Sequence, residues 1–150
     1  MFQPTVVVAP TDFSDAANGA IETAAGVASR GGAKLLLVHV VPMIPKLPAS
    51  VSIFREGEYE RSLQDDAKKR LDELAAKYRQ AGISVETEIG LANDVAMEVV
   101  GIAKKHGGDL IVIATHGTTG WNAFMFGSVA EKVLRAAQVS VLVLKSGSVP

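Results

Sequence analysis

The sequence predicts an α/β fold in which a parallel sheet is covered by helices on its faces. Two observations carry that expectation. Five short runs rich in β-branched residues alternate with four longer segments of helical period, the order expected when each strand returns to the sheet through a helix. The composition is 48% hydrophobic but only 5% aromatic. The core must therefore come from Ala, Val, Leu and Ile, which suit strands buried on both faces beneath alanine-rich helices. At 150 residues the chain is expected to form one domain over 1–150 and to bury roughly two thirds of the surface it exposes when unfolded.

The first strand is read at Thr5 to Ala9. The helix after it runs from about Ser14 to Ser29, aligns Ala17, Ile21, Ala24, Ala25 and Ala28 on one face, and stops at Gly31-Gly32, where left-handed backbone is easily reached. The second strand is Lys34 to Val41. The segment from Pro42 to Arg55 carries prolines at 42, 45 and 48 and is too long for an ordinary βα connection, so it is expected to be irregular. It leaves the carboxyl end of its strand and reads either as a lid or as a plain excursion. The second helix spans about Glu56 to Ala81, with Leu63, Ala67, Leu71, Leu74 and Tyr78 aligned and a charged outer side. The third strand is Ser84 to Ile89. Asn93-Asp94 announces a third helix that turns Val95, Val99, Ile102 and Ala103 inward and ends at Gly107-Gly108, with His106 helping to close it. Leu110 to Ala114 is the fourth strand, a fourth helix starts at Gly127 or Ser128, and Ser140 to Leu144 is the fifth strand.

The richest stretch for function is the passage from the fourth strand into the fourth helix. The apolar run Ile111 to Ala114 feeds Thr115-His116-Gly117, and nine residues later Gly127-Ser128 opens an amphipathic helix. The first turn of a helix has unpaired N–H groups and about half a unit of positive charge, so it can hold a phosphate. Gly127 admits close approach of a ligand and Ser128 adds a hydroxyl; the bland alternative is a helix start and nothing more.

Other chemistries are excluded or weak. Fifteen basic and sixteen acidic residues leave a formal charge of −1, so no bulk field draws the chain to nucleic acid or to an anionic membrane. The absence of cysteine removes disulfides, thiolate metal sites and thiol nucleophiles. The longest apolar run, Leu35 to Ile44, is interrupted by His39 and Pro42 and is too short to span a bilayer. Met1 to Thr5 lacks the basic and apolar regions of a secretory signal, so the expectation is a soluble, cytoplasmic protein. The Gly-x-x-x-x-Gly-Lys-Ser/Thr loop, Gly-x-Gly-x-x-Gly and Gly-x-Ser-x-Gly are all missing. His39, His106 and His116 show no paired metal spacing, and no protein-ligated metal is expected.

At Ala9-Pro10-Thr11-Asp12-Phe13-Ser14, at Leu37-Val38-His39-Val40-Val41, and above all from Thr115 through Gly127-Ser128-Val129-Ala130-Glu131-Lys132-Val133, the chain resembles the universal stress protein family over nearly its whole length. That family's ATP-binding branch carries Gly, two residues, Gly, nine residues, Gly, then Ser or Thr. Here the pattern reads Ala114, two residues, Gly117, nine residues, Gly127, Ser128. Alanine at the first position is costly if φ there is positive and tolerable if it is not.

The resemblance implies an open, Rossmann-like five-stranded parallel sheet of order 3-2-1-4-5 with two helices on each face. It also implies an adenine nucleotide across the carboxyl ends of strands one and four. Pro10, Thr11 and Asp12 would lie beside adenine and ribose, with the backbone of Val40 on the adenine edge. Ile113 and Ala114 would flank the ribose, and Gly117, Gly127, Ser128, Val129 and Ala130 would hold the phosphates. For Asp12 the alternative is an N-cap or Asx turn, which Ser14 could supply instead, and for Val40 it is plain core. His116 has the residue type of a general base but no paired carboxylate, so no catalytic residue is assigned. Trp121 and Phe124 to Phe126 could cover a ligand, meet a partner or join the core.

For function, the resemblance implies a homodimeric ATP-binding stress-response protein, a sensor or switch that meets an unidentified protein partner. The dimer would pair strand Ser140 to Lys145 with its twin, and Mg or Mn would arrive mainly on the phosphates. The alternatives are a nucleotide-free interaction module, a binder of AMP or a cyclic nucleotide, and a slow ATP hydrolase or autokinase.

Overall fold

The inner strands are apolar at consecutive positions because both of their faces are covered. In this computed structural model, which describes residues 1–43, 56–115 and 127–145, the strands are β1 (Val6–Pro10), β2 (Lys34–Val41), β3 (Val85–Leu91), β4 (Leu110–Ala114) and β5 (Ser140–Leu144). They form one parallel sheet of order β3-β2-β1-β4-β5. Alternate side chains go to opposite faces. Val7, Ala9, Leu35, Leu37, Leu110 and Val112 pack beneath α1 (Asp15–Gly31) and α2 (Glu56–Gln80). Val8, Leu36, Val38, Val40, Ile111 and Ile113 pack beneath α3 (Val95–Lys105) and α4 (Ser128–Ala136). The expected order and the two helices per face are both present.

The helices begin and end on the residues that local chemistry favours. Ser14 caps α1 by accepting from the Ala17 N–H at 3.2 Å, and Gly32 closes it with φ 65°. Asp94 caps α3 through the Met97 N–H, and His106 closes it with its own amide while its imidazole meets the Glu88 carboxylate. Lys105 adds its ammonium group to Glu88 at 2.8 Å. Burial of Glu88 raises its pKa, but the bonds from Lys105 and His106 outweigh that and leave it below the usual glutamate range.

Two strands differ from expectation in their bounds, β1 at Val6–Pro10 rather than Thr5 to Ala9 and β3 at Val85–Leu91 rather than Ser84 to Ile89. Thr5 stays outside β1 because its N–H turns to the Asp109 carboxylate at 2.8 Å rather than to a strand. Strand β3 runs past Ile89 because Gly90 and Leu91 remain in register with Val40 and Val41. Gly90 serves close approach, since a Cβ there would come within 2.7 Å of the Glu98 Cγ on α3. Gly108 serves α3 similarly: a Cβ would lie 2.6 Å from Val8 Cγ2 and 3.1 Å from the Ala103 carbonyl. Gly108→Ala should therefore destabilise the fold by about 1–3 kcal/mol, read as a lower urea midpoint. An unchanged midpoint would show that the α3–β4 turn yields freely.

Asp109 fastens the foot of β1 to β4. Its carboxylate accepts from the Thr5 N–H, the Thr5 hydroxyl at 2.8 Å and the Val6 N–H at 3.2 Å. Burial pushes its pKa up, but these three donors outweigh burial and hold the carboxyl below its ordinary value. A lowered folded pKa means that the stabilisation is complete above the unfolded value of about 3.9 and is lost as pH falls through the folded one. Asp109→Ala is expected to cost about 1–3 kcal/mol at pH 7. The deficit should shrink as pH drops below about 4, and a constant deficit from pH 7 to pH 3 would contradict this assignment.

Candidate functional site

The sheet opens where its winding reverses. From β1 the chain crosses to β2 and β3 on one side, then returns to β4 and β5 on the other, so the carboxyl ends of β1 and β4 flank a switch point. There the two strands part. Their ladder closes with Val8 opposite Ile111, while β1 continues to Pro10 and β4 to Ala114. The gap is a cavity of about 260 Å³.

Of the residues expected at a site, Pro10, Thr11, Asp12, Val40, Ile113, Ala114, Gly127, Ser128, Val129 and Ala130 all line this cavity. Gly117 lies outside the described residues, as do His116, Trp121, Phe124 to Phe126 and the Ile44 to Arg55 part of the proline-rich connection. The cavity also takes in Ala17, Val38, His39, Val95, Val99 and Thr115. Sequence periodicity could have found some of these. Val38 shares a strand face with Val40 at a spacing of two, and Val95 and Val99 share a helix face at a spacing of four.

The walls divide into an apolar floor and two polar rims. Val38, Val40, Val99, Ile113 and Ala130 belong to the aliphatic core under α3 and α4, so a planar ring would rest on hydrocarbon. Val40 is thus core and cavity wall at once. Its backbone adds polarity, because strand residues alternate the edge to which their amide groups point. The Val38 carbonyl accepts from the Thr11 N–H at 2.8 Å on the β1 side, and the Val41 carbonyl accepts from Ala92 beyond β3. Val40 therefore turns its N–H and C=O toward the β1 side, past the Pro10–Val38 end of that ladder.

The first rim is the β1–α1 turn. Thr11 is 6% exposed, and its hydroxyl accepts from the Phe13 N–H at 2.9 Å. Asp12 makes an Asx turn, one carboxylate oxygen accepting from the Ser14 N–H at 3.0 Å, while Ser14 caps the helix. The two roles weighed for Asp12 are thus compatible: the turn orients a carboxylate that stays exposed at the cavity. Phe13 sits at φ 64°, the one non-glycine residue with positive φ among the described residues. Ala114 is not such a residue, so alanine in the first signature position carries no left-handed strain.

The second rim is the start of α4. Gly127 is its N-cap at φ −57° and ψ 138°, and α4 has no side-chain cap hydrogen bond, whereas Ser14 and Asp94 cap α1 and α3. Gly127 donates its own N–H to the Thr115 carbonyl. The first turn, Ser128 to Ala130, faces the cavity, and its partial positive charge points where an anion would lie. Lys132 on α4 reaches Asp94 at 3.4 Å and ties the starts of α3 and α4 together.

An open, doubly wound α/β protein with an apolar crevice at its switch point, amide groups on one rim and a helix N-terminus on the other, is the class defined so far. Comparison makes it specific: the chain belongs to the universal stress protein family, whose model matches residues 4–145. A universal stress protein of Methanocaldococcus jannaschii is 33% identical over 142 residues, covering 93% of this chain and 81% of the relative. The solved structure of the universal stress protein UspA from Lactobacillus plantarum superposes with a TM-score of 0.83 at 25% identity, over 96% of this chain and 99% of that one. Two more distant structures share the fold at 23% identity. One is a universal stress protein in complex with cAMP, with a TM-score of 0.69 over 95% of this chain and 98% of that one. The other is the Archaeoglobus fulgidus protein in complex with dAMP, with a TM-score of 0.65 over 97% and 100%.

Proposed function

We propose that this chain is a homodimeric adenine-nucleotide-binding stress-response protein of the cytoplasm, a sensor or switch that takes ATP into the crevice between β1 and β4. The observation that carries the reading is the pairing of two rims across an apolar floor. Outward amide groups of Val40 suit the edge of adenine, and the α4 start, free of a side-chain cap, suits phosphate. In this reading Pro10, Thr11 and Asp12 meet adenine and ribose, and Ile113 and Ala114 flank the ribose. Gly117, Gly127, Ser128, Val129 and Ala130 hold the phosphates, and Mg or Mn is carried on phosphate oxygens. Structural relatives that hold cAMP and dAMP support an adenylate in this type of fold.

A second reading, a monophosphate or cyclic-nucleotide site, is favoured by those same two ligands and by a cavity of about 260 Å³, below the roughly 300–1,000 Å³ of typical ligand pockets. Titration calorimetry with ATP, AMP, cAMP and GTP separates the readings. Tighter binding of ATP than of AMP supports a phosphate chain along α4, AMP or cAMP above ATP supports the second, and silence with all four sinks both.

A further inference from the structure

Thr11 is held by two successive residues of β2. Its N–H donates to the Val38 carbonyl at 2.8 Å. Its carbonyl, lying beyond the end of β1, is met by Nδ1 of His39 at 2.7 Å. A carbonyl can only accept, so Nδ1 must carry the proton, and the contact fixes the tautomer of a neutral His39. The imidazole is itself held in place. The Phe13 ring stacks on it with centroids 4.6 Å apart and planes tilted by 35°. The Arg70 guanidinium of α2 lies over the Phe13 ring, 4.1 Å from its centroid. Phe13 enters this stack from a left-handed backbone at φ 64°.

We propose that His39 is a positioning residue for base recognition, setting through the Thr11 carbonyl the pose of the Thr11–Asp12 turn against the ligand, with Phe13 and Arg70 as its supports. The inference rests on the reading of the crevice as an adenine-nucleotide site and deepens it: the side chains that steady the adenine rim stand with α1 and α2, away from the α3 and α4 floor on which the base would rest. Thr11 is nearly buried, so loss of the histidine donor removes the side-chain hydrogen bond that holds its carbonyl, and the turn is released from its pose.

The test compares His39→Leu, which keeps bulk and removes the donor, with His39→Asn, whose side-chain nitrogen stands the same number of bonds from the backbone as Nδ1. AMP and GMP are titrated against wild type and both variants, and amide exchange of Thr11 and Phe13 is followed without ligand. His39→Leu should weaken AMP about tenfold, worth roughly 1.4 kcal/mol, leave GMP within about twofold, and speed exchange at both amides. His39→Asn should restore both readouts. Equal loss for AMP and GMP, or failure of Asn to rescue, reduces His39 to a structural residue and overturns the proposal. A wild type that binds AMP while His39→Leu matches it in affinity overturns this inference alone. A wild type that binds no nucleotide overturns the site reading, and this inference with it.

Discussion

Gly127→Asp is expected to weaken adenine-nucleotide binding about 100-fold, roughly 2.8 kcal/mol, while leaving thermal stability close to wild type. Gly127 caps α4 from φ −57° and ψ 138°, a backbone region open to every residue, so aspartate adds no conformational strain. As a natural capping residue it would serve the helix itself. Its carboxylate, however, would occupy the attractive end of the helix dipole and face the phosphates across a few ångströms. At an effective dielectric constant near 20, two unit charges about 4 Å apart repel by about 4 kcal/mol, before screening by solvent reduces it. Gly127→Ala is the control, since it adds a methyl group without a charge and should lose far less. If Asp and Ala variants bind ATP or AMP equally well by calorimetry, the start of α4 is not the phosphate site.

Leu142→Asp is expected to turn a dimer into a monomer. Strand β5 pairs with β4 along one edge and ends the sheet at the other. Leu142 is 37% exposed on it, and Leu134 of α4 is 48% exposed. An apolar strand edge left open invites pairing with another chain. In an antiparallel pairing about a two-fold axis the strand meets its own copy, so one aspartate per chain brings two like charges into the interface. Light scattering at micromolar concentration should give twice the chain mass for wild type and the chain mass for the variant. A wild type that is monomeric throughout that range removes the dimer from the account.

The sheet was legible in the sequence because an aliphatic chain with strands buried on both faces leaves little ambiguity of period. Runs such as Leu35 to Val38 and Leu110 to Ile113 hold no polar residue to compete for a surface. Strand ends were less legible where a tertiary partner decides them. Asp109 captures the Thr5 amide across the sheet, and α3 needs a bare backbone at Gly90, contacts no local pattern contains. Ten of the residues tied to a motif meet around one cavity. Those that enter through packing were missed. His39 read as an interruption in an apolar run and as part of the Leu37 to Val41 motif with no role of its own, because its hydrogen bond to Thr11 depends on where β1 stops. The left-handed turn at Phe13 carried no glycine to announce it.

The claim that the β1–β4 crevice is an adenine-nucleotide site is tested most directly by what the protein carries from the cell. Freshly purified protein is denatured and the released small molecules are identified by ion-pair chromatography with mass detection, beside Gly127→Asp treated identically. An adenine nucleotide is expected in near-stoichiometric amount from wild type and little from the variant, the phosphate number showing which ligand the site prefers. Empty wild type that also shows no thermal shift with added ATP, AMP or cAMP would contradict it, and would leave the scaffold as a nucleotide-free interaction module.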